Sequence, residues 1–118
     1  VDSYLSVTWC NYFAGDREAI IKCAAEAIRR SKLEVKPKGR FAVAQVFLID
    51  SVLRQKGHKV RFVHEAEEDN PAHAALRRWP NEDLELLERL AEEVWHETFS
   101  KEQIDRLPLT SCQTAIGV

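Results

Sequence analysis

The stretch from Pro80 to Thr98 most constrains what this chain can fold into. Leu84, Leu87, Leu90, Ala91, Val94 and Trp95 recur there at helical spacing. One stripe of a helix must therefore be buried against a second layer. Asn81 is placed to cap that helix, and Glu82, Asp83 and Glu85 put negative charge at its positive end. The pattern predicts a helix running to about Thr98. Its stripe of Leu87, Leu90, Val94 and Trp95 should face the core or a dimer contact. Its polar face carries Glu82, Asp83, Glu85, Glu88, Glu92, Glu93 and Glu97 against Arg89 alone. That face is expected in water or against a basic surface, with a Glu85–Arg89 pair along the helix.

The partner layer is legible as strands. From Tyr4 to Phe13, Leu5, Val7, Trp9 and Asn11 alternate with Tyr4, Ser6, Thr8 and Cys10. Period two with aromatic and β-branched residues predicts a strand. Gly15-Asp16 ends it, and Asp16 can cap a helix over 17–32. Ile20, Ala24, Ala27 and Ile28 share a face of that helix. Lys36-Pro37-Lys38-Gly39 reads as a turn. The apolar run Phe41–Ile49 fits a doubly buried strand or the opening of a helix to Lys56. The reading taken is a strand at 41–47 and a short helix at 51–56, with Gly57 just past its end. Lys59–Glu65 alternates as a strand, with Val60, Phe62 and His64 on one side. Residues 66–72 form an acidic loop, and His73–Trp79 a short strand. Ser100-x-x-Gln103 is a capping box that opens a helix to about Arg106, and Pro108 stops it. The expected architecture is α+β: one small domain over 1–108, a mostly antiparallel sheet with one or two helices packed on one face, and a loosely held tail at 109–118.

Composition narrows the class. A chain of 118 residues, 45% of them apolar, suits one folded domain and excludes wholesale disorder. The longest apolar runs, Phe41–Ala44 and Val46–Ile49, are four residues each, far short of the roughly 20 that span a bilayer. No membrane association is expected. Residues 1–60 hold 11 Lys/Arg and 6 Asp/Glu, a net of +5, whereas 61–118 hold 6 and 13, a net of −7. Two halves that attract each other, within one fold or across an oligomer, account for this without a further partner. Cys10, Cys23 and Cys112 are odd in number and lack a CxxC pair, so reduced, inert thiols and a cytoplasmic setting are expected. The first residues, Val1-Asp2-Ser3-Tyr4, lack the basic start and apolar stretch of a signal peptide.

The chain has no G-x-S-x-G, P-loop, G-x-G-x-x-G or H-E-x-x-H motif. Neither a cofactor nor a metal is expected, and no residue is assigned as catalytic. Candidate ligand-binding residues are His64, Glu65, Asp69 and His73, the proton-handling members of a dense set that also holds Glu67 and Glu68. The stronger reading of this set is a solvated acidic loop at 67–71, with His64 a hydrogen-bonded core histidine on the apolar face of its strand. Candidate anion-binding residues are Arg29, Arg30, Lys36, Lys38 and Arg40. No aromatic residues are interleaved with them for base stacking, which argues against nucleic acid. Trp9, Trp79, Trp95 and Phe99 are large apolar surfaces suited to a core or a subunit interface.

The run from Phe62 to Leu76 (Phe-Val-His-Glu-Ala-Glu-Glu-Asp-Asn-Pro-Ala-His-Ala-Ala-Leu), followed by Pro80 and an acidic helix, resembles small bacterial proteins of unknown function. It is similar to the orphan single-domain proteins carried on mobile gene cassettes of integrons. The resemblance implies an accessory bacterial role and transfers no catalytic residue. The function expected is a small cytoplasmic binding or interaction protein, acting as a homo-oligomer with a dimer as first guess, with a small molecule or protein as ligand. A His/carboxylate- or metal-dependent hydrolase or nuclease-like enzyme is the alternative. A nucleic-acid-binding accessory protein is the third reading.

Overall fold

Alternation at the start of the chain builds a strand only as far as Thr8. This is β1 (Tyr4–Thr8). The computed structural model describes residues 3–31, 39–95 and 97–115. β1 pairs antiparallel with β5 (His73–Arg77), Leu5 opposite Leu76 and Val7 opposite Ala74. β5 also pairs antiparallel with β4 (Arg61–His64), giving a three-stranded sheet of order β1-β5-β4. The expected strand to Phe13 is shorter because its partner runs out. Trp9 N–H still donates to Ala72 C=O at 2.8 Å, but Ala72 N–H, which would return the bond to Trp9, goes instead to Asn70 Oδ1 at 3.1 Å. The chain instead makes a 3-10 turn at Cys10–Tyr12 and a two-residue strand, β2 (Phe13–Ala14).

One face of this sheet carries the main core. Ile49, Val52, Leu53, Leu76, Trp79, Leu86, Leu90 and Val94 form a buried cluster, with Leu5, Val7, Phe62 and Trp95 packed against it. The helical members come from α2 (Val46–Gln55) and α3 (Leu84–Glu93). The rings of Trp79 and Trp95 meet edge to face at 5.8 Å, Trp79 within this cluster and Trp95 against it.

α1 (Arg17–Arg30) begins where expected, with Asp16 Oδ1 accepting from Ala19 N–H at 2.8 Å. Its alanines and Cys23 let neighbouring segments approach from several sides. Phe13, Cys23, Ala24, Ala27 and Ala72 form one cluster, and Ile21, Ala25, Phe41 and Ile104 another. The second lies beside a separate antiparallel pair, β3 (Arg40–Val43) with β6 (Glu97–Ser100), and beside α4 (Lys101–Arg106). β2 pairs with β7 (Gln113–Thr114). The class is α+β with antiparallel sheets, as read from the pattern. The strands fall into three small sheets rather than one, and four helices surround them among the described residues.

Several local expectations are corrected. The strand expected at 41–47 ends at Val43, and the helix expected at 51–56 starts at Val46. α2 buries Ile49, Val52 and Leu53, an i, i+3, i+4 set that needs the earlier start. Its end matches the sequence reading: Gly57 adopts φ 81°. Gly57 N–H bonds Arg54 C=O and His58 N–H bonds Leu53 C=O, both at 3.0 Å. This is a Schellman closure that favours glycine. α3 is capped by Asp83 rather than Asn81, through a 3.2 Å bond from Leu86 N–H. It stops at Glu93 rather than near Thr98. Thr98 and Phe99 instead pair with Ala42 and Phe41, where β-branched and aromatic side chains fit a strand. The buried line is Leu86, Leu90 and Val94, leaving Leu84 70% exposed. Arg89 bonds Glu93 at 2.9 Å and Gln55 at 2.6 Å instead of Glu85.

The tail and the cysteines differ most. Cys23 and Cys112 form a disulfide across 89 residues of sequence. Ala115 N–H adds a 2.8 Å bond to Tyr12 C=O. Residues 109–115 are thus tied to the body at two places. Cys10 stays a free thiol, and burial pushes its pKa up despite nearby Arg17, which keeps it protonated and a poor nucleophile.

Attraction between the basic and acidic halves is visible inside the chain. Arg17 pairs with Glu97, and Arg29 with Asp105 at 2.7 Å. The Arg29 hydrogen bond holds the Asp105 carboxyl below the usual range. A carboxylate with a lowered folded-state pKa stabilises fully above its unfolded value and less as pH falls through the lowered one. Arg29→Gln should therefore reduce the slope of stability against pH on the acid side of about pH 4, measured as melting temperature from pH 2 to 6. An unchanged slope would show that the contact carries none of the acid sensitivity.

Candidate functional site

The alternation that turns Leu5, Val7 and Leu76 toward the core turns Tyr4, Ser6, Thr8, His73, Ala75 and Arg77 to the opposite face of the sheet. Four of these residues are polar or charged, and the candidate residues His73 and Glu65 converge here. His73 is 8% exposed. One ring nitrogen, Nδ1, lies 2.8 Å from Glu65 C=O, and the other, Nε2, lies 2.6 Å from Ser6 Oγ. Glu67 Oε1 is 3.8 Å from Nδ1. Glu65 holds Arg77 through both carboxylate oxygens at 2.7 to 2.9 Å. The Arg77 guanidinium in turn lies 4.5 Å from the centre of the Tyr4 ring.

The acidic loop fixes this arrangement. Asn70 is 3% exposed. Its side chain accepts from Ala72 N–H at 3.1 Å and donates to Thr8 Oγ1 at 3.0 Å. Its C=O accepts from both Glu67 N–H and His73 N–H at 3.0 Å. His73 N–H is thereby diverted from Glu65 C=O, which is left to accept from the imidazole. The Asn-Pro dipeptide is an Asx-type turn that seats the histidine.

The other candidates lie apart. His64 pairs in register with Ala74, so it points to the face opposite His73. It is exposed rather than in the core. Its Nε2 donates to Pro71 C=O at 2.8 Å, and its ring lies 5.1 Å from Trp9 and 5.7 Å from Tyr12. The two histidines cannot ligate one ion from opposite faces of a strand pair. Among the described residues no group of three or more His, Cys, Asp or Glu side chains is placed to hold a metal. Asp69 sits half-buried in the loop. Of the candidate anion-binding residues, Arg29 is occupied by Glu26 and Asp105, and Arg40 bonds Thr98 Oγ1 and Gln103. Arg30 is exposed, and Lys36 and Lys38 lie outside the described residues.

Two surfaces were not singled out from the sequence. Ser6 reads only as a polar position in an alternating strand, and its meeting with His73 depends on the β1–β5 register. The first turn of α2 exposes Val46, Phe47 and Leu48 at 40%, 66% and 40%. Reading 41–47 as a buried strand hid that patch. A shallow groove of about 350 Å³ lies along α3 between Lys56, Glu85, Glu88, Arg89 and Glu92.

Compared with protein-family models, curated proteins and solved structures, the chain matches none.

Proposed function

We propose that this chain is a small interaction protein that self-associates as a dimer through the first turn of α2. The observation that carries the reading is the consecutive exposure of Val46, Phe47 and Leu48. Isolated exposed apolar residues are ordinary, whereas a contiguous apolar patch favours a contact that removes it from water. Phe47, Ser51 and Arg54 follow one another along the exposed side of α2, and Asp50 pairs with Arg54 at 2.7 Å. An aromatic centre with a charged margin is the ordinary anatomy of a protein contact. A second copy is the occupant that needs no further component, and a two-fold contact sets the same patch against itself.

The Cys23–Cys112 bond favours an oxidising compartment over the cytoplasm, because disulfides form and persist chiefly in oxidising compartments. The accessory role of a cassette-borne bacterial protein is part of the same proposal and rests on the Phe62–Leu76 resemblance alone. Light scattering over a dilution series tests the association. The wild-type chain is expected at twice the 13.6 kDa chain mass at high concentration. Phe47→Asp is expected at the chain mass, with a melt that matches the wild type at dilutions where the wild type is monomeric and falls below it where the wild type is a dimer. A wild-type monomer throughout the series would overturn the reading.

A further inference from the structure

The face of the β1-β5-β4 sheet opposite the main core holds a serine and a histidine in the relation of a nucleophile and its base. We infer that Ser6 is a reactive nucleophile, activated by His73, that accepts acyl groups from small carboxylic esters. The argument starts from Glu65 C=O, which can only accept a hydrogen bond. At 2.8 Å from His73 Nδ1 it requires the proton on that nitrogen. Nε2 of the neutral ring then carries a lone pair, and the 2.6 Å contact must be Ser6 Oγ–H donating to it. That is the tautomer and polarity general-base activation of a hydroxyl needs. When His73 takes the proton, the positive charge on its ring lies beside the Glu67 carboxylate, 3.8 Å from Nδ1. The buried base is rigidly seated by Asn70, while Ser6 itself is exposed. A substrate can therefore reach the oxygen without displacing the imidazole.

The backbone is consistent with this access. Trp9 N–H bonds Ala72 C=O across β1 and β5, and Glu65 N–H bonds His73 C=O across β4 and β5. Ladder bonds alternate along antiparallel strands. Leu5 and Val7 therefore bond toward β5, and the N–H of Ser6 points off the free edge of β1.

The step balances without a co-reactant. Ser6 Oγ attacks the ester carbonyl as its proton passes to His73 Nε2. The bond from the carbonyl carbon to the alcohol oxygen breaks, and the alcohol leaves with the proton from His73. Water, deprotonated by the same nitrogen, then hydrolyses the acyl-serine and regenerates the pair. General-base help of this kind amounts to about 10²–10⁴-fold.

p-Nitrophenyl acetate and a fluorophosphonate are the probes. The expected result is one covalent adduct per chain, mapped by peptide mass to Ser6. Labelling should fall at least about 100-fold in Ser6→Ala and stay unchanged in Ser3→Ala. Its rate in the wild type should rise through a single ionisation as the imidazole loses its proton. His73→Gln should also lose labelling. Should that variant fail to fold, the pH profile and Ser6→Ala decide the matter alone. Adduct on other residues only, labelling that survives Ser6→Ala, or no adduct on Ser6 would each overturn the inference.

Discussion

Reduction of the Cys23–Cys112 bond is expected to destabilise the fold by about 4–5 kcal/mol. The figure follows from loop length: the bridge closes a loop across 89 residues of sequence, and the chain-entropy cost removed from the unfolded state grows with the logarithm of that span. Cys23 is 1% exposed and lies in the Phe13–Ala72 cluster, so the bridge anchors the C-terminal residues on α1. For a domain of this size the change corresponds to a fall in Tm of roughly 15 °C. Thermal melts of the oxidised protein, the reduced protein and Cys112→Ser should show the two altered forms melting together and well below the first. Coincident melts of all three would mean that the bridge constrains nothing that matters to unfolding.

Leu90→Ala should cost about 2–5 kcal/mol. Leu90 is fully buried between Leu53, Leu86 and Val94, where α3 meets α2. Truncation would remove three carbon atoms, Cγ and both Cδ, from a packed cluster. Glu92→Gln, on the exposed side of the same helix, should cost about 0.5 kcal/mol or less. Denaturant titrations give both values. A larger effect from Glu92→Gln would mean that α3 presents a different face to the core.

The elements that could be read from sequence are those whose signals are local. Asp16 caps α1 because its carboxylate reaches an amide three residues on, and the Ser100–Gln103 box closes within one turn. Gly57 ends α2 for the same kind of reason. β1 and β4 showed their alternation, and its polar side became the candidate site. Two leucine lines compete in α3, Leu84–Leu87–Ala91 and Leu86–Leu90–Val94. Spacing alone does not choose between them, and the contact with α2 does. The run 41–49 is apolar at almost every position, so neither period dominates, and the break at Ala44-Gln45 has no proline or glycine to announce it. β6 is a strand because β3 lies beside it, a neighbour 56 positions away in sequence at the Ala42–Thr98 pair. The disulfide is similarly non-local.

The candidate site divides along the same line. Glu65 and His73 were recognisable as proton-handling groups, and the Asn-Pro turn as distinctive. That His73 would meet Ser6 and turn away from His64 follows from strand register, which pairing rather than composition determines. The exposed Phe47 was concealed by the wrong period at 41–47.

Self-association through α2 is the central claim, and one NMR measurement addresses it most directly. In a sample mixing isotope-labelled and unlabelled chains, filtered NOE spectra detect only contacts between copies. A two-fold contact at the first turn of α2 predicts intermolecular NOEs from the Phe47 ring to the methyl groups of Val46 and Leu48. At a concentration where light scattering reports a dimer, the absence of those NOEs, with others arising elsewhere, would contradict it.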